Sequence, residues 1–98
     1  MNNNLKEAKE QVRLALEKKN LKTICDYTVD AKLRIILMKG QIPEKSEERI
    51  AECFGSIGEI LLQAHGKNKY ANADYVERIK DCLGEIYEEL EILEALNF

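Results

Sequence analysis

The sequence predicts an all-α protein, an antiparallel bundle of four helices with a long C-terminal helix as its spine. Three observations support this fold class. Apolar residues recur at spacings of three and four in four successive segments, the connections between them are short and polar, and the chain contains one proline. A chain of 98 residues is the size of one small domain, so we expect residues 1–98 to form a single helical bundle.

The C-terminal segment, residues 74–96, carries the strongest pattern in the chain. Its apolar residues occupy the a and d positions of successive heptads: Val76, Ile79, Leu83, Ile86, Leu90 and Leu93. A helix of this length is roughly 35 Å long, which matches the length of a small domain. We therefore expect the other helices to pack along this row.

Two helices are predicted in the first 40 residues. Asn4 is the expected N-cap of a helix over residues 5–19, whose narrow apolar stripe predicts the most solvent-exposed helix of the set. Asn20 is the expected N-cap of a second helix over residues 21–39. Gly40 suits the left-handed conformation that ends many helices.

A third helix is predicted to begin at Pro43 or Ser46. Proline is favoured in the first turn of a helix, where its missing N–H is not needed. The helix is expected to end near His65 and Gly66, since glycine often follows the last helical residue. Residues 67–72 form the most polar connection in the chain.

Two features of the second and third helices predict an interface. The second helix is apolar on more than one side, which is typical of a central helix or of one shared with another subunit. The third helix contains two internal glycines, each of which costs about 1 kcal/mol relative to alanine, and close approach to another helix, within the fold or across a dimer, would offset that cost. The predicted interface consists of Val29, Leu33, Ile36, Leu37, Gly55 and Gly58.

The charge distribution is uneven, although the net charge is only −3. Residues 1–45 contain ten lysines and arginines against six acids, whereas residues 74–98 contain eight acids against two basic residues. Two interpretations remain open. The two halves face each other within the fold, or an acidic face receives a basic protein partner. An acidic chain without a basic stripe interleaved with aromatic residues argues against a nucleic-acid partner.

Cysteine usage and hydropathy predict a cytoplasmic protein. The three cysteines, Cys25, Cys53 and Cys82, fall one per predicted helix among apolar neighbours and form no CxxC pair, so we expect buried thiols rather than a metal site. An odd number of thiols without a signal peptide is typical of a reducing compartment. No apolar run approaches the roughly 20 residues of a membrane span.

Acidic residues at helical spacing are candidate metal ligands. Glu44 and Glu47 form an ExxE pair that resembles one half of the site in helical pyrophosphatases of the MazG type, which would imply metal-dependent nucleotide chemistry. The ExxD half of that pattern is missing from this chain. The residue three before Asp81 is Arg78, and the acids at 85, 88, 91 and 94 are expected to face solvent.

Two further resemblances concern helical bundles. Residues 39–43 (KGQIP), with Phe54 and Gly55, resemble HEPN domains, whose ribonuclease members place an arginine four to six residues before a histidine. In this chain Arg49 lies sixteen residues before His65, the only histidine, so the resemblance implies the fold without the nuclease. Residues 50–93 resemble flagellar export chaperones of the FliS type.

These observations predict a small cytoplasmic protein-interaction module, of the adaptor, chaperone, immunity or inhibitor type, that has a regulatory role. It is expected to bind another protein of unknown identity or to form a homodimer, and not to be an enzyme. No catalytic, cofactor-binding or metal-binding residue is predicted. The alternative is a HEPN-like or MazG-like helical domain related to nucleotides or RNA, without catalytic activity.

Overall fold

Four helices make up the structure. The computed structural model describes residues 3–65 and 72–96, and within these residues it contains no β-strand. The helices are α1 (Asn3–Glu17), α2 (Leu21–Ile36), α3 (Glu44–Ala64) and α4 (Asn72–Ala95). The predicted all-α, antiparallel four-helix bundle with a long C-terminal helix is confirmed.

Around the bundle, which measures 43 × 22 × 18 Å, the helices follow one another in the order α2, α1, α4, α3. Helix α1 packs against both α2 and α4, and α3 packs against α4, whereas α2 and α3 make no comparable contact. Neighbouring helices are antiparallel. Arg34 near the end of α2 pairs with Glu7 near the start of α1, and Arg78 near the start of α4 donates to Gln63 near the end of α3 (3.2 Å). Helices α2 and α3 are therefore the two edges of the bundle.

Helix α4 is the spine of the bundle, as predicted. Five of its six a and d residues are at most 1% exposed, and the sixth, Val76, is half-buried: the five are Ile79, Leu83, Ile86, Leu90 and Leu93. Because a fully buried Leu or Ile contributes about 1.5–3 kcal/mol, this row is the largest continuous source of stability on one helix.

Helix α1 has a more central position than its sequence suggested. The expectation that it would be the most solvent-exposed helix is wrong, because it lies between α2 and α4. Its apolar stripe is narrow but completely buried, and it includes the two small residues Ala8 and Ala15, each 0% exposed. Small side chains allow helix axes to approach closely, so a narrow stripe is enough to pack against two neighbours.

The ends of α1 and α2 follow the predictions in part. The Thr23 N–H donates to Asn20 Oδ1 (3.2 Å), which confirms Asn20 as the N-cap of α2. Asn4 lies inside the first turn of α1 and is not its N-cap, because the helix begins at Asn3. Helix α2 ends at Ile36, three residues earlier than expected, and continues into tight turns. Gly40 in these turns has the predicted positive φ (85°).

Helix α3 begins after Pro43, one of the two predicted starts, and carries Glu44 and Glu47 in its first turn, where the helix dipole favours acids. It ends at Ala64 with His65 as the C-cap, close to the predicted end. Gly66 and most of the predicted polar connection lie outside the described residues. Among the described residues, no helix combines the length and apolar composition that crossing a membrane requires.

We expect the substitution Leu83→Ala to lower the free energy of unfolding by about 2–5 kcal/mol, because it removes a completely buried side chain and leaves a cavity between helices. Chemical denaturation followed by circular dichroism measures this change. Ile92→Ala is the matched control on the same helix, since Ile92 is 50% exposed and its truncation should cost much less. Equal unfolding midpoints for the two variants would contradict the role of α4 as the spine.

Candidate functional site

An open groove separates the two edge helices. It has a volume of about 470 Å³ and lies between α2, the turns that follow it, and α3. Its floor is apolar and is made by four buried side chains: Ile35, Ile42, Ile50 and Phe54. The groove exists because α2 packs on α1 and α3 packs on α4, whereas α2 and α3 do not pack closely on each other.

The two walls of the groove differ in charge. The α2 wall carries Lys32, Ile36 and, from the following turn, Lys39, whereas the only charged residue of the α3 wall is Glu47. Lys32 Nζ lies 6.0 Å from the centre of the Phe54 ring, which is a cation–π contact across the groove. Within residues 3–65 and 72–96, neither lysine nor Glu47 takes part in an ion pair.

The α3 wall is formed largely by small residues. Ala51, Gly55 and Gly58 line the groove and are exposed. A Cβ atom added to either glycine would meet no atom within 4 Å, so the predicted close approach of another helix within the fold is wrong. The backbone of α3 is open at these positions, and close approach by another molecule remains a prediction.

The remaining predicted interface residues lie on α2 and are all solvent-exposed. The exposed fractions are 57% for Val29, 56% for Leu33, 52% for Ile36 and 63% for Leu37. Ile36 also lines the groove, so the structure brings it together with Gly55 and Gly58. Large apolar side chains exposed in a group are typical of an interaction surface, whereas single ones are normal.

One residue of this surface was missed by the sequence analysis. Leu62 is 77% exposed, the highest value among the exposed large apolar residues. It lies four residues after Gly58 and eleven after Ala51, so helical periodicity places it on the same side of α3. That spacing could have identified it. We call this surface the α2–α3 face, and it comprises the groove together with Val29, Leu33, Ile36, Leu37 and Leu62.

The interface between α3 and α4 contains a buried carboxylate and a buried thiol. Glu89 is only 7% exposed, and its carboxylate lies 3.6 Å from Arg49 Nη1. The Cys53 thiol donates to Glu85 Oε2 (3.5 Å). Burial, followed by this hydrogen bond to a carboxylate, raises the pKa of Cys53 to about 11. Burial likewise raises the pKa of Cys25 and of Cys82.

The residues considered for chemistry do not come together. Glu47 and His65 lie near opposite ends of α3, about 27 Å apart at 1.5 Å per residue. Glu44 is exposed, and so are Glu85, Glu88 and Glu91 on α4. Glu94 is partly buried because it accepts a hydrogen bond from Lys9 (3.0 Å). In the part of the chain that the structure describes, no three His, Cys, Asp or Glu side chains are placed to hold a metal ion.

The two interpretations of the charge distribution can be compared with the ion pairs. Lys9 on α1 pairs with Glu94 and approaches Glu91 at 3.9 Å, so the basic and acidic halves do meet at one point. Arg13, however, pairs with Glu10 and Glu17 of its own helix. Arg34 of α2 pairs with Glu7 of α1, which also belongs to the basic half of the chain. In the described part of the chain, the ion pairs between the basic half and the acidic half are therefore those of Lys9.

Comparison of the chain with protein-family models, with curated proteins and with solved structures gave no match. The α2–α3 face is therefore the feature of this chain that indicates a function.

We expect Cys53 to be alkylated by iodoacetamide more slowly than Cys25 or Cys82 in the folded protein at pH 8. Only the thiolate reacts, and a pKa raised to about 11 leaves about one thiol in a thousand ionised at that pH. Because the shift is upward, the rate should rise with pH up to about 11. Peptide mass spectrometry after timed labelling measures the three rates, and the urea-unfolded chain is the control. Faster labelling of Cys53 in the folded protein would contradict the assigned burial.

Proposed function

We propose that this chain is a protein-interaction module that acts by binding another protein or itself through the α2–α3 face. One observation carries the proposal: an open apolar groove lies beside a group of large, exposed apolar side chains on the same edge of the bundle. Grooves between helices commonly receive an amphipathic helix, whose apolar face covers the floor.

The energetics support a binding role for this face. The four exposed residues of α2 are each about half exposed. At about 1.5–3 kcal/mol for a whole side chain, covering them would contribute roughly 3–6 kcal/mol before the cost of association. That amount alone gives weak binding, so a stable complex would also need the groove floor and its charged walls.

We further propose a cytoplasmic location and a regulatory role of the adaptor, chaperone, immunity or inhibitor type. The three cysteines are free thiols, one on each of α2, α3 and α4, which supports a reducing compartment. The HEPN-like or MazG-like alternative receives less support, since the acids and the histidine that such a site would use are dispersed along α3 and α4.

A photo-crosslinking amino acid placed at position 33 tests the proposal in the cells that make the protein. We expect the protein with this replacement at Leu33 to give adducts of higher mass, because that side chain is 56% exposed within the α2–α3 face. Position 92 is the matched control: Ile92 has a similar exposed fraction, but it lies on α4 outside the α2–α3 face. Gel electrophoresis and mass spectrometry detect the adducts and identify what is bound.

Absence of adducts at position 33, or equal adducts at both positions, would contradict the proposal. A separate measurement addresses the alternative. Hydrolysis of nucleotides in the presence of magnesium, or an increase in the melting temperature on adding them, would favour the HEPN-like or MazG-like interpretation instead.

A further inference from the structure

We propose that the partner on the α2–α3 face is a second copy of this chain, with α2 of each copy packed on α3 of the other around a two-fold axis parallel to the helices. This inference rests on the proposed function, since it names the partner of the same face. Three features of the face carry it: the relative levels of its residues along the helices, its shape and its charge.

The level of each residue along the groove follows from one contact. Helices α2 and α3 run in opposite directions, because each helix is antiparallel to its neighbour in the order α2, α1, α4, α3. The contact of Lys32 with Phe54 places those two residues within about one helical turn of the same level. Both helices rise 1.5 Å per residue, so Val29 lies near the level of Gly58, and Ile36 lies near the level of Ala51.

These levels make the face complementary to itself in shape. A two-fold axis parallel to the helices exchanges α2 and α3 but keeps each residue at its level. Val29 would then face Gly58 of the partner subunit, and Ile36 would face Ala51 of the partner subunit. Val29 and Ile36 are seven residues apart, as are Ala51 and Gly58, so both large side chains meet small residues together.

The charges of the groove favour this axis, parallel to the helices, over a two-fold axis that runs across them. Lys39 and Glu47 line the same end of the groove, where α2 ends and α3 begins, so the two-fold axis would bring Lys39 opposite Glu47 of the partner subunit. A two-fold axis across the helices would instead place α2 on α2, with Lys32 and Lys39 of both copies in one interface. The two lysines and Glu47 have no ion-pair partner in the described residues of their own chain.

Filling the small-residue wall of α3 tests the shape argument. We expect the unmodified protein to sediment as a dimer at tens of micromolar, and Gly58→Gln to raise the dimer dissociation constant about 10- to 100-fold. The variant should fold as well as the original chain, because a Cβ at Gly58 meets no atom within 4 Å and glutamine favours helix more than glycine does.

Gly84→Gln is the matched control. Gly84 is also a helical glycine with no atom within 4 Å of an added Cβ, but it lies on α4 away from the face. This variant should keep the dissociation constant of the unmodified dimer. Equal dissociation constants for the Gly58 and Gly84 variants would overturn the arrangement. Circular dichroism verifies that both variants are folded.

Exchanging charges tests whether Lys39 and Glu47 meet across the interface. Lys39→Glu and Glu47→Lys should each weaken self-association, because each homodimer then contains two like-charged contacts. An equimolar mixture of the two variants should form a heterodimer in which both contacts are attractive. Native mass spectrometry detects it when one of the two variants is uniformly labelled with nitrogen-15, which separates the masses of the heterodimer and the two homodimers. A mixture that stays monomeric would overturn the proposed pairing, since ion pairs within one chain gain nothing from mixing.

The oligomeric state of the unmodified protein distinguishes the proposed homodimer from the more general proposal of a protein-interaction function. A monomer at 100 µM would overturn the second copy as the partner. If position 33 still forms adducts with a different protein, the interaction function stands and only the identity of the partner changes. If the chain is monomeric and forms no adducts, both proposals fail.

Discussion

The structure depends on one constraint, the burial of the apolar row of α4 against the helices on either side. Five Leu and Ile side chains of that row are at most 1% exposed, and they form contacts with α1 on one side and with α3 on the other. Helix α1 can share this central position because its buried stripe contains two alanines, which allow close packing of α1 between α4 and α2. The order of the helices follows from these contacts, and with it the separation of α2 from α3.

Because α2 and α3 are separated, the bundle is open on the side between these two helices. In a bundle that is closed all round, the second apolar side of α2 would be covered by another helix of the same chain. Here Leu33 and Leu37 face solvent, and the glycines of α3 contact no side chain opposite them. Exposed apolar residues do not stabilise the isolated chain, and internal glycines lower helix stability by about 1 kcal/mol each. A binding partner is the physical reason that would account for both features at once.

The sequence identified most of the candidate surface but not its arrangement. The apolar excess on α2 was visible from the spacing of Val29, Leu33 and Ile36, because helical periodicity assigns each residue to a side of its helix. The two internal glycines of α3 predict close approach to another helix, and of the two possibilities that the sequence leaves open, only close approach within the fold is wrong. Whether a glycine meets a neighbouring helix depends on which helices are adjacent, and no local pattern contains that information. Leu62 shares one side of α3 with Ala51 and Gly58 by helical spacing, so the sequence does contain the signal that identifies it.

The sequence alone determined the four helices, the N-cap at Asn20 and the role of α4, because each follows from interactions between residues close in the chain or from an amphipathic period. The position of α1 between two neighbours, the groove between α2 and α3, and the cation–π contact of Lys32 with Phe54 were decided only by the tertiary structure. The physical reason is that an apolar stripe specifies which side of a helix is buried but not which helix covers it. That choice depends on the fit of side-chain volumes over the whole core.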